Sequence, residues 1–429
     1  MDTGKNKSSH PHVTQHFDNM KTYGSVGQMK YAGVFYEEFE QNLRGRRGVE
    51  AYKEMSENDD VIGAILFAIE MLIRQTTFSV VPQGKGKVDT EAAEFVESCM
   101  NDMEQSWQDT LSEMLSFLTF GWSYHEICYK RRMGTSKDKM LNSKFSDGLI
   151  GWQKIPIRSQ DTLWKWEYDD DDNLVGMTQM APPDFAVRTI PLDKAMHIIT
   201  KSRKWNPEGR SILRNAYRSY YFKKRMQEIE GIGVERDLAG LPVLTPPENV
   251  DIWDATDPEM VKTLAYSEKL VQNIRRDAVE GIVLPNGWDL SLLNGGSRRQ
   301  FEIGNVIERY DSRMAMTVLA DFVLLGHQAV GSFALSSDKT ELFSVAIGTY
   351  LNILCEAFNT QAIPRLFDLN RDKFGGINGY PKMVHGDVEK QNLTEVSTFL
   401  EKMIGVGLIV PDEQLAKHVR KLANLPDGE

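Results

Sequence analysis

The spacing of apolar residues changes repeatedly along the chain, and each change marks a predicted element. The first thirty residues are polar and carry few large apolar groups, so they read as a flexible arm that cannot bury enough surface to order itself. With a short approach to the first helix this arm extends over 1–49. Residues 61–73 then repeat apolar positions at helical spacing, and Asp59 or Asp60 caps a helix running to about Arg74. Residues 76–82 (TTFSVVP) read as a strand. Two helices follow: 89–104, from Phe95, Val96, Cys99 and Met103, and 107–119, from Leu111, Met114, Leu115 and Leu118, ended by Gly121. A strand is predicted over 122–130 and a basic loop over 132–147. In 163–168 the rings of Trp164, Trp166 and Tyr168 alternate with Lys165 and Glu167, the period of a half-buried strand. Four aspartates and Asn173 make a turn, 174–180 returns, and Met196–Ile199 is a short strand.

The second half is built of longer periods. Asn206-Pro207-Glu208-Gly209 is a turn that launches a helix over 210–236, whose 27 residues would extend ~40 Å. Residues 242–247 (PVLTPP) must be extended, because three prolines forbid helix. Asp257-Pro258-Glu259 starts a helix with an N-cap, a proline at the first position and an acid in the first turn; its stripe is Val261, Leu264, Val271, Ile274 and Ala278. Residues 281–284 and 288–292 flank Pro285-Asn286-Gly287 as a hairpin. A second long helix, 298–325, carries Ile303, Ile307, Tyr310, Met314, Val318, Phe322 and Leu325 at spacings of four and three. Residues 326–337 (GHQAVGSFALSS) read as a loop, longer than two packed helices need. Asp338 and Glu341 form a capping box for a third helix to about Phe358. Two short helices close the chain, one with Leu393, Val396, Phe399, Leu400 and Met403, the other with Leu415, Val419 and Leu422. Helices and strands so mixed predict an α+β protein.

Composition narrows the function classes. At 429 residues, 41% hydrophobic and 26% charged, the chain is an ordinary globular protein and not a disordered, collagen-like or low-complexity one. Its net charge of −11 makes it a poor general phosphate binder, since non-specific nucleic-acid affinity comes from Lys and Arg. The helix at 210–236 is the exception: Tyr217, Tyr220, Tyr221 and Phe222 sit among Arg210, Arg214, Arg218, Lys223, Lys224 and Arg225. Two readings are open there, a solvated face beside a packed aromatic stripe and a face near phosphate. Cys99, Cys128 and Cys355 are too scattered for a disulfide framework and fit a reducing compartment. The longest apolar stretch, 61–73, is broken by Glu70 and too short to span a bilayer, and no secretion pattern opens the chain. The expectation is a protein without a membrane partner, intracellular or assembled inside a cell.

No catalytic constellation is visible. Gly-rich phosphate loops, nucleophile elbows and His-Glu-x-x-His are absent from the sequence. Ser336-x-x-Lys339 lacks the partner motifs of β-lactamase-type enzymes, and Gly231-Ile232-Gly233 is a fragment. His125 and Glu126 project from opposite faces of a strand, which is poor geometry for one metal. His197 lies on an apolar strand and reads as a core residue. His10, His12 and His16 read as a solvated tail, and Asp169 to Asp172 as a solvated hairpin tip without EF-hand spacing. The expectation is no enzyme, no metal and no cofactor.

The order of these parts resembles tailed-phage portal proteins, most of all the Mu-like branch, over roughly 50–425. The resemblance rests on Phe120-Gly121-Trp122-Ser123-Tyr124-His125-Glu126, on Pro207-x-Gly209-Arg210-Ser211-Ile212-Leu213-Arg214 with the aromatic helix and Gly240-Leu241-Pro242-Val243 after it, and on Phe333-Ala334-Leu335-Ser336-Ser337. It implies a homo-oligomeric ring, usually of twelve copies, at one vertex of the virion head, assembled in the host cytoplasm. Double-stranded DNA passes through it, and the terminase large subunit, the head–tail adaptor and the major capsid protein are partners. By segment it implies a wing at 50–205 and 338–385, stem helices at 206–238 and 298–325, a clip at 239–297, a tunnel loop at 326–337 and a small crown at 386–429. The residues it puts at the DNA channel are Gly326, His327, Gln328, Ser332, Ser336 and Lys339. Lys223, Lys224, Arg225, Arg298 and Arg299 form the stem's basic face. Asp251, Trp253, Asp254, Arg275, Arg276 and Trp288 are the clip contacts for partners. The alternatives are a minor capsid or head-morphogenesis protein and, from another class, a metal-dependent nuclease.

Overall fold

The computed structural model describes residues 24, 26–239, 241–273, 283–293, 298–318, 333–387 and 401–402. The chain opens with a hairpin, β1 (Lys30–Tyr31) and β2 (Val34–Phe35), then α1 (Gly45–Asn58), α2 (Asp60–Gln75), β3 (Phe78–Val81), α3 (Lys87–Asn101), α4 (Trp107–Met114) and α5 (Ser116–Phe120). Next come β4 (Trp122–Glu126), β5 (Cys128–Arg131), β6 (Ile150–Lys154), β7 (Leu163–Tyr168), β8 (Leu174–Met180), β9 (Val187–Pro191) and β10 (Ala195–Ile199). The long helix α6 (Tyr217–Ala239) leads to β11 (Leu241–Thr245), α7 (Pro258–Asn273) and β12 (Asp289–Leu293), and α8 (Arg298–Thr317) returns. Last are α9 (Phe333–Ala357), α10 (Ile363–Asp368), α11 (Arg371–Phe374) and β13 (Lys382–His385). The α+β class is as expected.

The first helices follow the sequence rules. The Asp59 carboxylate accepts from the Ile62 amide at 3.0 Å, the cap that starts α2. Ile62, Ile65, Ile69 and Ile73 are all buried, spaced three, four and four. Isoleucine is a middling helix former, but burying each side chain is worth about 1.5–3 kcal/mol and decides the conformation.

The strand expected over 122–130 is two strands. It breaks at Ile127, whose amide donates to the Lys194 carbonyl at 2.7 Å. Before the break β4 pairs antiparallel with β10, and after it β5 pairs with β6. Both faces of β4 are covered. Trp122 and Tyr124 join Trp166, Met177 and Ile190 in one core. On the other face Ser123 donates to the Met114 carbonyl at 3.3 Å, and the cross-strand neighbours Ile198 and Met196 belong to the largest core. The β7–β8–β9 sheet thus covers one face of the β4–β10 pair, and the α4–α5 segment, α9 and the turn after it cover the other.

The small sheets are closed by amide side chains from the segment after α9. Gln361 accepts from the His197 amide at 2.9 Å and donates to the His197 carbonyl at 2.9 Å. Asn359 does the same to Met383 of β13, at 2.7 and 3.0 Å. Asn370 does it to Ile150 of β6, at 2.9 Å in both directions. Each clamp satisfies the backbone groups of a strand edge that has no further strand beside it. Asn359 and Gln361 lie in a π-helical turn, Phe358–Ala362, which rotates two nearby amides toward two different strands.

Several expectations are corrected. Residues 26–44, assigned to the flexible arm, are docked: the Trp166 amide of β7 donates to the Gly33 carbonyl at 3.0 Å, and Arg214 forks onto Glu38, Nε to Oε2 at 2.7 Å. The first long helix does not start at Arg210; Ile212–Asn215 is a 3₁₀ turn and the α-helix begins at Tyr217. The third long helix begins at Phe333, five residues before Asp338, because Phe333-Ala334-Leu335 extends an apolar helical run that the capping box cannot interrupt. Ser336 and Lys339 are therefore helical rather than loop and start positions. Leu342–Asp368 has the length and mean hydropathy (1.3) of a membrane-crossing helix, yet its Ile347, Leu351, Leu354 and Phe358 fill the largest core.

Candidate stem and clip site

The two long helices run antiparallel. Moving along α6, Tyr220 shares a core with Met314, Phe222 stacks on Tyr310 with centroids 6.2 Å apart and planes 17° apart, and Lys223 meets Asp311 at 2.7 Å. Beyond them Leu241 pairs with Leu293 across β11 and β12. The α8 stripe predicted from the sequence is the packed one: Met314 is buried, and Ile303, Ile307, Tyr310 and Val318 are half-buried.

Lys223 was expected on a basic face, and the structure places it elsewhere. Its side chain is 2% exposed and lies 3.0 Å from Asp59, 2.8 Å from Asp60 and 2.7 Å from Asp311. Burial works against its charge, but hydrogen bonds to Asp311, Asp60 and Asp59 outweigh it and hold the ammonium pKa above the usual value. The hydrogen bond from Lys223 holds Asp60 below the usual carboxylate range, while burial pushes Asp311 up. Asp59 and Asp60 stand at the junction of α1 and α2, Lys223 on α6 and Asp311 on α8. One ammonium therefore ties the α1–α2 junction to both long helices. Sequence reasoning saw Asp59 and Asp60 only as a cap; Asp311, on a helix whose charges cancel, gave no signal.

The other cations of the segment are also largely spoken for. Lys224 pairs with Glu54, Arg214 with Glu38, and Arg210 donates to Asn215 at 2.7 Å. Arg225 is exposed and 3.7 Å from Glu228; Arg218 is exposed and lies over the Phe222 ring. Of the two sequence readings, internal pairing accounts for Arg210, Arg214, Lys223 and Lys224, leaving Arg218 and Arg225 facing solvent. Arg298 and Arg299 are the first residues of α8.

Between the two long helices, residues 283–293 of the expected hairpin around Asn286-Gly287 show its turn without a strand pair across it, and 281–282 lie outside the described residues. Trp288 donates its amide to the Pro285 carbonyl at 3.2 Å and Gly287 has φ +86, so the turn exists. The strand after it pairs with 241–245, and Val283 and Leu284 are outside any strand. The PVLT segment is the better partner because it is tethered to α6 as β12 is to α8, so closing the stem pair brings these two strands together. Asp251 accepts from the Trp253 amide at 3.0 Å, and Asp254 from the amide and hydroxyl of Thr256 at 2.9 and 2.6 Å. The Thr256 hydrogen bonds hold Asp254 below the usual carboxylate range. These turns present Trp253, 74% exposed; Trp288 is half-buried. On α7 the expected apolar stripe is not buried: Val261 is 48% exposed and Leu264 and Val271 are half-buried. Arg275 and Arg276 lie outside the described residues, as do Gly326, His327, Gln328 and Ser332 and most of 386–429.

Of the residues weighed for chemistry, His125, His197 and Asp169 are held within the fold, while His10, His12 and His16 lie outside the described residues. Burial pushes His125 down to about 3 and His197 down to about 4. The Nε2 of His197 lies 2.8 Å from the Pro207 carbonyl, so that nitrogen carries the proton. Asp169 accepts from the Asp171 and Asn173 amides at 3.0 and 2.7 Å, which makes it the staple of its own turn. Among the described residues no group of three His, Cys, Asp or Glu side chains could hold a metal ion.

Two antiparallel helices that carry a β-paired excursion at one end, seated on a layered body of helices and small sheets, define a portal-type protomer. The chain is similar to a chain in the virion of the native gene transfer agent particle (TM-score 0.53, 12% identity, covering 89% of this chain and 94% of that one). It is similar to the same degree to a chain from the neck of that particle computed with C12 symmetry (TM-score 0.53, 12% identity, 88% and 94% covered). A phage portal protein of the HK97 family from Corynebacterium diphtheriae matches at TM-score 0.42 and 10% identity, over 79% of this chain and 95% of that one. The chain belongs to the family described as the portal protein of Mu bacteriophage, which matches residues 49–420. No curated protein matches.

Proposed function

We propose that this chain forms a homo-oligomeric ring, of twelve copies, at one vertex of a phage head and conducts double-stranded DNA into and out of it. The observation that carries this reading is the family match over 49–420, on a protomer whose long helices leave apolar faces open. Tyr221, Ile229 and Ile232 on α6 are 44%, 49% and 52% exposed, and neighbouring copies in a closed ring would cover them. α6 and α8 are the stem, 239–297 the clip that meets the terminase large subunit and then the head–tail adaptor, and the wing meets the major capsid protein. Residues 326–337 contact DNA. The protein acts structurally, without a catalytic step of its own. Electron microscopy of the purified protein tests this: rings with a central channel are expected, and monomers alone at high concentration would sink it. Deletion of 326–332 should leave rings but abolish DNA retention.

A further inference from the structure

One exposed element is absorbed neither by the core nor by the two long helices. The last residue of β5 and the connection after it, residues 131–147, hold five cations and two carboxylates, a net +3 on a chain of −11, so the rest of the chain carries −14. It is a built knob rather than a loose loop. Gly134 donates to the Phe145 carbonyl at 2.8 Å, Ser143 to the Gly134 carbonyl at 3.0 Å, and Lys130 to the Asn142 carbonyl at 2.6 Å. Asp102 at the end of α3 accepts from the Ser143 hydroxyl and the Lys144 amide, both at 2.7 Å. Asp138 accepts from the Met140 amide at 3.0 Å. Arg132 is buried and paired with Asp147 at 2.8 Å. What the knob turns outward is Arg131, Lys137 and Lys139, beside Met133 (64% exposed), Met140 (52%) and Leu141 (39%). Cations around an apolar centre suit an acidic protein surface; methionine and leucine add nothing to binding a phosphate backbone.

A surface of matching character lies elsewhere on the same chain. At the β7–β8 tip, Asp170 and Asp171 are exposed and have no ion-pair partner among the described residues. Lys30 of the β1–β2 hairpin pairs with Asp172 of this tip; its neighbour Tyr31 is 78% exposed, and Val175 on β8 is 42% exposed. The knob is held at the end of α3, whose residues lie in the largest core with Met196 and Ile198 of β10, and the acidic tip belongs to the sheet packed in the other core with Trp122 and Tyr124 of β4. The two surfaces do not meet within one chain, but a rotation from one copy to the next brings unlike faces together.

We infer that the 131–147 knob of one copy docks on the acidic β7–β8 tip and Tyr31 of the next, a heterologous contact between wings. This rests on the ring reading. The test compares wild type, K137E/K139E, D170K/D171K and the combined charge swap by native mass spectrometry and by microscopy across a salt series. Each double variant should lower ring yield about tenfold, because like charges then face each other, and the four-fold swap should restore it. Mixing K139C with D171C chains should give inter-chain cross-links with a short bismaleimide. Wild type that forms no rings would defeat the ring reading itself. Wild-type rings with undiminished rings in both variants, or with no cross-link, would overturn this contact, including where the variants impair only capsid incorporation or DNA binding. Unchanged thermal midpoints of the variants separate lost docking from misfolding.

Discussion

Gly121 and Gly209 meet backbone to backbone where the start of β4 packs on the turn that leads to α6. A Cβ on Gly209 would lie 2.2 Å from the Gly121 carbonyl oxygen, and one on Gly121 would lie 2.6 Å from the Glu208 carbonyl oxygen. Both have positive φ, +94 and +56. Around them Thr200 donates its amide to Gly121 at 3.0 Å and its hydroxyl to the Arg210 carbonyl at 2.6 Å, and Ser211 donates to the Thr119 carbonyl at 2.5 Å. Gly209→Ala is therefore expected to destabilise by about 2–4 kcal/mol, from left-handed strain plus backbone displacement. Urea unfolding measures it; a loss within error of wild type would show that the contact relaxes.

Removing the ammonium that joins the α1–α2 junction to α6 and α8 should do more harm than removing one acid. Lys223→Met leaves Asp59, Asp60 and Asp311 facing each other and should cost about 3–5 kcal/mol. Asp311→Asn leaves Lys223 with two partners and should cost less than half of that. The same order should appear in amide exchange of α6 and α8. Equal losses would mean the cluster does not act through Lys223.

The amide clamp on β10 has a single-residue test. Gln361→Ala leaves the His197 amide and carbonyl without their partners and should cost about 1–3 kcal/mol. Gln361→Glu should restore acceptance from the amide but not donation to the carbonyl, and fall between. Thermal midpoints decide it, and an alanine variant as stable as wild type would reject the clamp.

Acid sensitivity should trace in part to His125. Its pKa falls from about 6.5 in the unfolded chain to about 3 in the fold. A base with a depressed folded pKa contributes stability that is complete above the unfolded value. That stability is lost as pH drops from about 6.5 toward 3, where the unfolded chain binds the extra proton. His125→Phe should flatten the fall of the thermal midpoint over this window while leaving values above pH 7 little changed. An unaltered slope would assign acid sensitivity to other groups.

Trp253 separates docking from stability. Its side chain is 74% exposed, so Trp253→Ala should change stability by less than about 0.5 kcal/mol. Under the docking role proposed for 239–297, binding of the terminase large subunit or the adaptor to assembled rings, measured by interferometry, should weaken by about tenfold or more. Unchanged binding would move the partner contact off this turn.

The sequence by itself determined the helices whose apolar stripe repeats over many residues, such as α2 and α8, and the helix starts at Asp59 and Asp257, because period and caps are local. It also carried the portal resemblance, through stretches such as 120–126 and 207–214. What it could not decide was pairing. The 122–130 strand serves two partners, 288–292 joins 241–245 instead of its sequence neighbour, and Lys223 turns from an apparent surface cation into the buried hub of three carboxylates. Gln361, Asn359 and Asn370 gave no signal, since an amide becomes a strand clamp only when a distant edge is brought within 3 Å of it. Local periodicity reports which side of an element is apolar; which element covers that side depends on chain closure over hundreds of residues, and only the tertiary structure resolves it.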